Sequence, residues 1–237
     1  MMDPVESHVT PGRAGDGPEN ETGRAPLTRR RILSCALDLI DRDGLETLSM
    51  RRLAAELDVT AMSLYNHVAS KEELLEGVTE ALLGEIDLTV VAIPDWAQGL
   101  KAGFRSFRRA LLDHPHALPL IQSKPAVSPD AFRPIELSLA TLRRGGFSPK
   151  DAIEAHWLLV GFTLGHVGFQ LSNPLCDPAR ADAEMLRRYE SLPADDFPNL
   201  LESLPFAVGS DFGAAYDFGL ETIIEGLRAR LASDYHA

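Results

Sequence analysis

The side chains best suited to chemistry lie in the run Thr60-Ala-Met-Ser-Leu-Tyr-Asn-His-Val-Ala-Ser-Lys71. Methyl groups on Ala61 and Met62 suit contact with thymine methyls, and the Ser63 hydroxyl can bond a base edge or a phosphate. Tyr65, His67 and Lys71 suit the phosphates. Leu64 and Val68 stand four residues apart, so on a helix they share the inward face. Ala61, Met62, Ser63, Tyr65, Asn66 and His67 are then left outward or flanking. A rigidly supported, exposed helix start of this kind can enter the major groove of double-stranded DNA. Periodicity alone leaves a second reading open, a plain corner of a helical bundle. Tyr65 can also be half-buried packing, and His67 can cap or pack against a preceding helix.

Elsewhere the chemical signals are thin. His114-x-His116 has no second pair of ligands in view, so no metal site is expected. Cys35 and Cys176 are too few for a disulfide framework or a zinc ribbon. There is no Gly-rich phosphate loop and no Cys–His or Ser–His–Asp set at suggestive spacing. Neither an enzyme nor a cofactor is expected.

The elements that must hold the Thr60–Lys71 run are helices. Leu33, Ala36, Leu37 and Ile40 follow the spacing of one buried face, and Gly44 ends that helix. Ser49 can cap a second helix carrying Leu53, Ala54 and Leu57. Asp58 and Val59 break it, and Thr60 can cap a third, short helix through His67. Ser70-Lys-Glu-Glu73 is a capping box before Leu74, Leu75, Val78, Leu82 and Leu83. Two short helices joined by a few residues describe a helix-turn-helix. Beyond it, helices are expected over Trp96–Leu112, Phe132–Arg144, Pro149 to about Leu171, and Phe212–Leu231. Residues 173–205 read as a polar, proline-containing loop or weakly helical insert. No run alternates with period two. The expected fold is all-α: a three-helix helix-turn-helix domain over 27–75, then a helical-bundle domain for ligand binding and dimerisation over 76–237. Residues 1–26 carry almost no large apolar side chain and are expected to be a disordered tail.

Composition sets the outer limits. A hydrophobic fraction of 45% over 237 residues supports a substantial core. The net charge of −12 argues against a protein that coats DNA along its whole surface. It is unevenly spread: 7 basic against 6 acidic residues in 27–71, and 14 against 24 in 72–237. No apolar run reaches the ~18 residues of a membrane span, and the N-terminus has no signal-peptide core. A cytoplasmic, reducing setting is expected.

Gly44-Leu-Glu-Thr-Leu-Ser-Met-Arg-Arg-Leu-Ala-Ala-Glu-Leu-Asp-Val-Thr-Ala-Met-Ser-Leu-Tyr-Asn-His-Val-Ala-Ser-Lys-Glu-Glu-Leu-Leu75 strongly resembles the DNA-binding head of the tetracycline-repressor (TetR) family. Asp58 stands where that family usually has glycine, and is expected to be tolerated there. The resemblance implies base or near-base contacts for Arg51, Ala61, Met62 and Ser63, and backbone contacts for Ser49, Tyr65, Asn66, His67 and Lys71. Arg51 and Arg52 cannot both point at the groove, and Arg51 is taken as the reader. Ser106–Leu112, Gly145–Ser148, Phe162–Gly165 and Phe218–Leu227 look like the body of the tetracycline repressors themselves.

That second resemblance implies a ligand site with altered chemistry. Asp87 and Gly103 stand where a histidine and an asparagine would hold a magnesium–tetracycline chelate. No histidine lies near Ile121 and Gln122, and Phe169 replaces an acidic residue. Phenylalanine cannot ligate a hard cation, so no metal is expected in the site. What remains is an apolar pocket with walls from Phe104, Phe107, Leu111, Trp157, Phe162 and Phe169. Its polar contacts would come from Gln122, His156, His166 and Gln170. His166 can share a helix face with Phe162 and Phe169; a packed core with satisfied histidines is the open alternative for each residue.

The function expected from all this is a ligand-responsive transcriptional repressor, released from a palindromic DNA operator by a small, largely apolar inducer. Its partners would be operator DNA, that inducer and a second copy of the chain, with no membrane and no cofactor. The homodimer surface is expected on the Ala152–Leu171 and Phe212–Leu231 helices, with Tyr216, Leu220, Ile223 and Leu227 as an apolar stripe beside Gly219 and Gly226. The alternative is an all-α scaffold or enzyme without DNA binding.

Overall fold

The structure, a computed structural model, describes residues 26–123, 128–174 and 183–234. Among these residues the chain forms eleven α-helices, three short 3-10 turns and no strand. The tail expected over 1–26 lies, except for Pro26, outside the described residues.

The first four helices each begin at a side-chain cap. In α1 (Arg29–Asp43) the Thr28 hydroxyl accepts the Arg31 N–H at 3.2 Å. Ser49 does the same for Arg52 at the start of α2 (Met50–Leu57), and Thr60 for Ser63 at the start of α3 (Ala61–Tyr65). Ser70 opens α4 (Lys71–Leu83) by accepting the Glu73 N–H, while the Glu73 carboxylate takes the Ala69 N–H at 2.6 Å. Each cap satisfies an N–H that the helix itself cannot. Ile32, Leu33, Ala36, Leu37, Leu39 and Ile40 of α1 are buried with Leu53, Ala54 and Leu57 of α2 and Leu64 of α3. The short α3 ends at Tyr65, two residues before the expected His67.

Asp58 carries the turn between α2 and α3 at φ 52°, ψ 51°, the only non-glycine residue with positive φ among those described. Its N–H bonds the Ala55 carbonyl at 3.2 Å, and the Val59 N–H bonds that of Ala54 at 2.9 Å. Those two bonds are the Schellman termination usually built on glycine. Aspartate accepts the left-handed conformation better than most side chains.

The body is built around α5 (Trp96–Asp113), started by the Asp95 carboxylate on the Ala97 N–H. It packs against α7 (Pro129–Arg144), α8 (Pro149–Ser172) and α11 (Phe212–Asp234). Leu100, Phe104, Phe107, Ala110 and Leu111 of α5 share the core with Ala152, Ala155, Leu159 and Val167 of α8 and with Tyr216, Leu220, Ile224 and Leu227 of α11. The Tyr216 hydroxyl reaches the Phe104 carbonyl at 3.0 Å and the Thr163 hydroxyl at 2.9 Å. Lys101, nearly buried, pairs with Glu221 at 2.7 Å. A side chain at Gly219 would place its Cβ 2.5 Å from the Phe162 ring, so α8 and α11 meet with nothing between them there.

Several expectations need correction. α7 begins at Pro129, three residues early, because Ser128 caps it and proline suits the first turn. A short α6 (Leu118–Ser123) was not foreseen. Of the two readings of 173–205, the described part takes the helical one: it holds α9 (Ala183–Glu190) and α10 (Pro198–Ala207). Pro198 there occupies the first turn, where no intrahelical N–H is lost. The stripe on α11 is packed inside the subunit. Tyr216, Leu220 and Leu227 are buried, Ile223 is half-buried, and Ile224 completes the row.

Head and body are clasped by His114, just after α5. Its Nδ1 lies 2.6 Å from an Asp41 carboxylate oxygen on α1, and its Nε2 lies 2.9 Å from Glu85, past the end of α4. The His116 Nδ1 donates to the Asp41 carbonyl at 2.9 Å. With a carboxylate at each ring nitrogen, both must donate, and the imidazole is held as a cation. Burial opposes that charge, but the hydrogen bonds and charges of Asp41 and Glu85 outweigh it and raise the pKa above the ordinary histidine value. The stabilisation is therefore complete below the unfolded pKa of ~6.5 and fades as pH rises through the folded one. We expect His114→Gln to lose about 1–3 kcal/mol at pH 6, with the deficit shrinking toward pH 9. Urea unfolding across that range checks this; a deficit independent of pH would contradict it.

Candidate functional site

Three features stand out. The first is the exposed start of α3 with its neighbours. Leu64 and Val68 are fully buried and fix the short helix. Met62 is 72% exposed and Tyr65 46% exposed, and Asn66 and Lys71 are exposed too. Ala61, Ser63 and His67 are half-buried, with the Ser63 hydroxyl 2.9 Å from that of Thr60. Ser49 is exposed while its hydroxyl caps α2. The neighbouring arginines differ. Arg52 binds Asp43 at 2.6 Å, and Arg42 holds both carboxylate oxygens of Glu56 at 3.0 and 3.1 Å. Bonding to Arg42 holds both the Asp43 and Glu56 carboxyls below their ordinary pKa. Arg51 is exposed and makes no ion pair among the described residues. A cation at the start of α2, an exposed α3 and a lysine at the start of α4 can together meet a phosphate backbone.

The second feature is a cavity of about 380 Å³ in the body. Its walls come from α4 (Thr79, Leu83), the following segment (Ile86, Leu88), α5 (Phe104, Phe107), α6 (Ile121, Gln122), α7 (Phe132, Ile135, Ser138) and α8 (His156, Trp157, Val160). Most polar groups on its wall are already engaged. Thr79 and Thr141 donate to Leu75 and Leu137 carbonyls of their own helices at 3.1 and 2.8 Å. Asp87 accepts the Thr89 hydroxyl and N–H at 2.6 and 2.9 Å, bonds that lower its carboxyl pKa. His156 is different. Its Nδ1 is 3.0 Å from the Ser138 hydroxyl, and its Nε2 is buried without a partner among the described residues. Burial pushes its pKa down to about 4, so the ring is neutral at neutral pH.

The residues proposed for the pocket from sequence divide into two groups. Phe104, Phe107, Gln122, His156 and Trp157 line the cavity. Leu111 is sealed in the core. Phe162, His166 and Phe169 do share a helix face, but it is turned away from the cavity. They form an aromatic knot with α11: Phe162 stacks on Tyr216 at 5.2 Å, His166 meets Phe212 at 5.7 Å, and Phe169 meets Phe212 at 6.1 Å. Gln170 accepts from Arg108 at 2.8 Å, and Arg108 lies over the Tyr216 ring. At 100° per residue, 156, 160 and 164 fall on one side of α8 and 162, 166 and 169 on the other. The contributions of α4 and α7, including Ser138, were missed; these residues carry no distinctive chemical pattern in the sequence.

A third surface is apolar and open. Trp157, Leu158 and Phe169 of α8 are half or more exposed, and Phe218 of α11 is 77% exposed. Added Cβ atoms at Gly161, Gly165 and Gly226 would meet nothing within 4 Å. No helix among the described residues is long and apolar enough to cross a membrane.

Comparison with known proteins places these features in a lineage. Residues 32–78 match the family described as bacterial regulatory proteins, tetR family, and residues 93–231 match the tetracyclin repressor-like C-terminal domain. An HTH-type transcriptional regulator of Saccharopolyspora erythraea is 35% identical over 94% of this chain and 94% of its own. The class E tetracycline repressor protein of Escherichia coli is 32% identical, over 90% of this chain and 96% of its own. The crystal structure of the Streptomyces coelicolor TetR family protein ActR in complex with actinorhodin has a TM-score of 0.75 at 34% identity, covering 87% of this chain and 99% of that one. With both halves matched in order, and an all-α head and body to carry them, the chain belongs to the tetracycline-repressor (TetR) family of transcriptional regulators.

Proposed function

We propose that the chain is a cytoplasmic repressor, a homodimer that holds a near-palindromic operator and releases it when a small, largely apolar molecule enters the body cavity. The observation that carries this reading is that α4 serves both halves. Its Leu74 and Val78 are buried in the core while Thr79 and Leu83 line the cavity. An occupant that presses on α4 makes contacts that differ between two head positions, which is what coupling requires. The relative ActR, solved with actinorhodin, supports a ligand in such a body. In this reading the domain boundary falls near residue 75, at the α4 start.

In the head, Arg51, Ala61, Met62 and Ser63 read bases or their immediate surroundings, and Ser49, Tyr65, Asn66, His67 and Lys71 contact the DNA backbone. Phe104, Phe107, Gln122, His156 and Trp157 contact the inducer. Leu111, Phe162, His166, Phe169 and Gln170 are better read as framework between α5, α8 and α11, given where they lie.

Two heads are needed because one short helix-turn-helix touches few bases. The open faces of α8 and α11 suit a four-helix pairing.

Three outcomes are expected. In operator titrations, Lys71→Ala weakens binding to every DNA sequence and lowers the salt slope by about 1, whereas Arg51→Ala costs about 1–3 kcal/mol and relaxes preference at one base pair. An unchanged preference after Arg51→Ala would remove it as a base reader. Tetracycline with magnesium leaves the operator complex intact, because the cavity's carboxylate, Asp87, is committed to Thr89; chelator-sensitive release by tetracycline in a gel shift would contradict this. In sedimentation, the wild type runs at twice the 25.9 kDa chain mass. Leu158→Glu with Phe218→Glu yields folded monomers, since both side chains are exposed on the subunit; a wild-type monomer at micromolar concentration would exclude the dimer.

A further inference from the structure

Among the described residues the cavity wall holds one buried polar side-chain atom without a hydrogen-bond partner. His156 is 96% buried, at 4% residual exposure, and lines the cavity. Ser138 occupies its Nδ1 at 3.0 Å. Its Nε2 has no partner among the described residues. A buried polar atom left unpaired costs free energy, and the cost disappears if an occupant supplies the bond.

We propose that the His156–Ser138 pair is the specificity reader of this cavity, hydrogen-bonding one oxygen of an uncharged aromatic ligand through Nε2. The proposal rests on the reading of the cavity as the inducer site. The pair can act in two ways. If the Nδ1–H donates to Ser138, Nε2 accepts a bond from a ligand hydroxyl. If the Ser138 hydroxyl donates to Nδ1, Nε2 carries the proton and donates to a ligand carbonyl. Ser138 can serve either tautomer because a hydroxyl both donates and accepts. Phenolic and aryl-ketone oxygens are therefore both readable at one point.

The rest of the wall supplies the other half of the specificity. Phe104, Phe107, Phe132 and Trp157 present aromatic surface, and Phe104 and Trp157 also hold the His156 ring, at 6.3 and 5.1 Å between centroids. Aromatic walls favour an aromatic occupant. Among the described residues no lysine or arginine lines the cavity and Asp87 does, so an anion meets a like charge and no counter-charge from them. The neutral state of His156 adds no positive charge to offset that.

The test uses three probes of similar size, naphthalene, 2-naphthol and 2-naphthoate, titrated calorimetrically into the full-length protein. Wild type is expected to prefer 2-naphthol over naphthalene by about tenfold, the gain of one buried hydrogen bond. 2-Naphthoate is expected to bind weakest. His156→Leu should bind naphthalene as well as wild type does and lose the preference for 2-naphthol. Retained naphthalene binding shows that the cavity is still formed. His156→Gln, which keeps a donor and an acceptor, should restore part of the preference. Because His156 is already neutral, the preference should hold from pH 5.5 to 8. A preference that survives His156→Leu, or tighter binding of 2-naphthoate, would overturn the proposal while leaving the cavity reading intact. Equal binding of naphthalene and 2-naphthol by wild type would do the same. Failure of wild type to bind any of the three would overturn the cavity reading and this proposal with it.

Discussion

One helix has to satisfy two neighbourhoods at once, and most of the architecture follows from that constraint. Leu74, Val78 and Leu82 of α4 are fully buried, and the packing partners of the helix include α1 on one side and α5, α6 and α7 on the other. A continuous helix cannot bend to suit each partner separately, because its hydrogen-bond ladder resists sharp kinks where no proline or insertion is present. The close fit at Gly77, where an added Cβ would lie 2.5 Å from a Leu33 methyl, ties α4 to α1. The His114 clasp ties the C-terminal end of α4 to the same α1 through Glu85 and Asp41. Under the proposed function, movement at the cavity wall would reach the head as movement of a nearly rigid rod.

Charge is arranged with similar economy. The head contains almost as many acids as bases, and several of them neutralise one another locally. Arg42 and Arg52 are taken up by Asp43 and Glu56. Such exposed pairs add little to stability, but they decide which cations are left for a partner. Arg51 and Lys71, at the starts of α2 and α4, are exposed without such a pair among the described residues. Selection among arginines that are neighbours in sequence thus comes from the position of Asp43, not from the arginines themselves.

The head was legible in the sequence because its determinants are local. Thr28, Ser49, Thr60 and Ser70 each cap the helix that follows within three residues. Leu64 and Val68 lie one turn apart, and both are buried as their spacing requires. The body was legible as helices and in part as a site, since Phe104, Phe107, Gln122, His156 and Trp157 do line the cavity. Which face of α8 meets the cavity depends on how α5, α7 and α11 are rotated around it, and that is long-range information. Phe162, His166 and Phe169 are as aromatic as any cavity wall, yet they belong to the α8–α11 seam. Ser138 became visible as a candidate only when its hydroxyl was found beside His156. On α11, Tyr216, Leu220 and Leu227 belong to both the expected stripe and the buried row; what differed was the partner, the subunit's own core in place of a second copy. Helical periodicity marks an apolar face but not what covers it, so it could not choose between the two partners.

The bare contact between Gly219 and the Phe162 ring has a mechanical consequence. Two helices that meet with no side chain on one of them at the contact point cannot slide past one another without driving a ring into backbone. The seam is also pinned by the Tyr216 hydroxyl and by the buried Lys101 arm on Glu221. That half of the body therefore behaves as an anvil: stiff and unable to absorb a displacement by local repacking. Under the proposed function, force delivered inside the cavity would meet on one side the face of α8 that this seam backs, and on the other α4 with the single-turn segments around it. Compliance is thus concentrated where the head is attached, and very small distortions need not be lost in the bulk of the molecule.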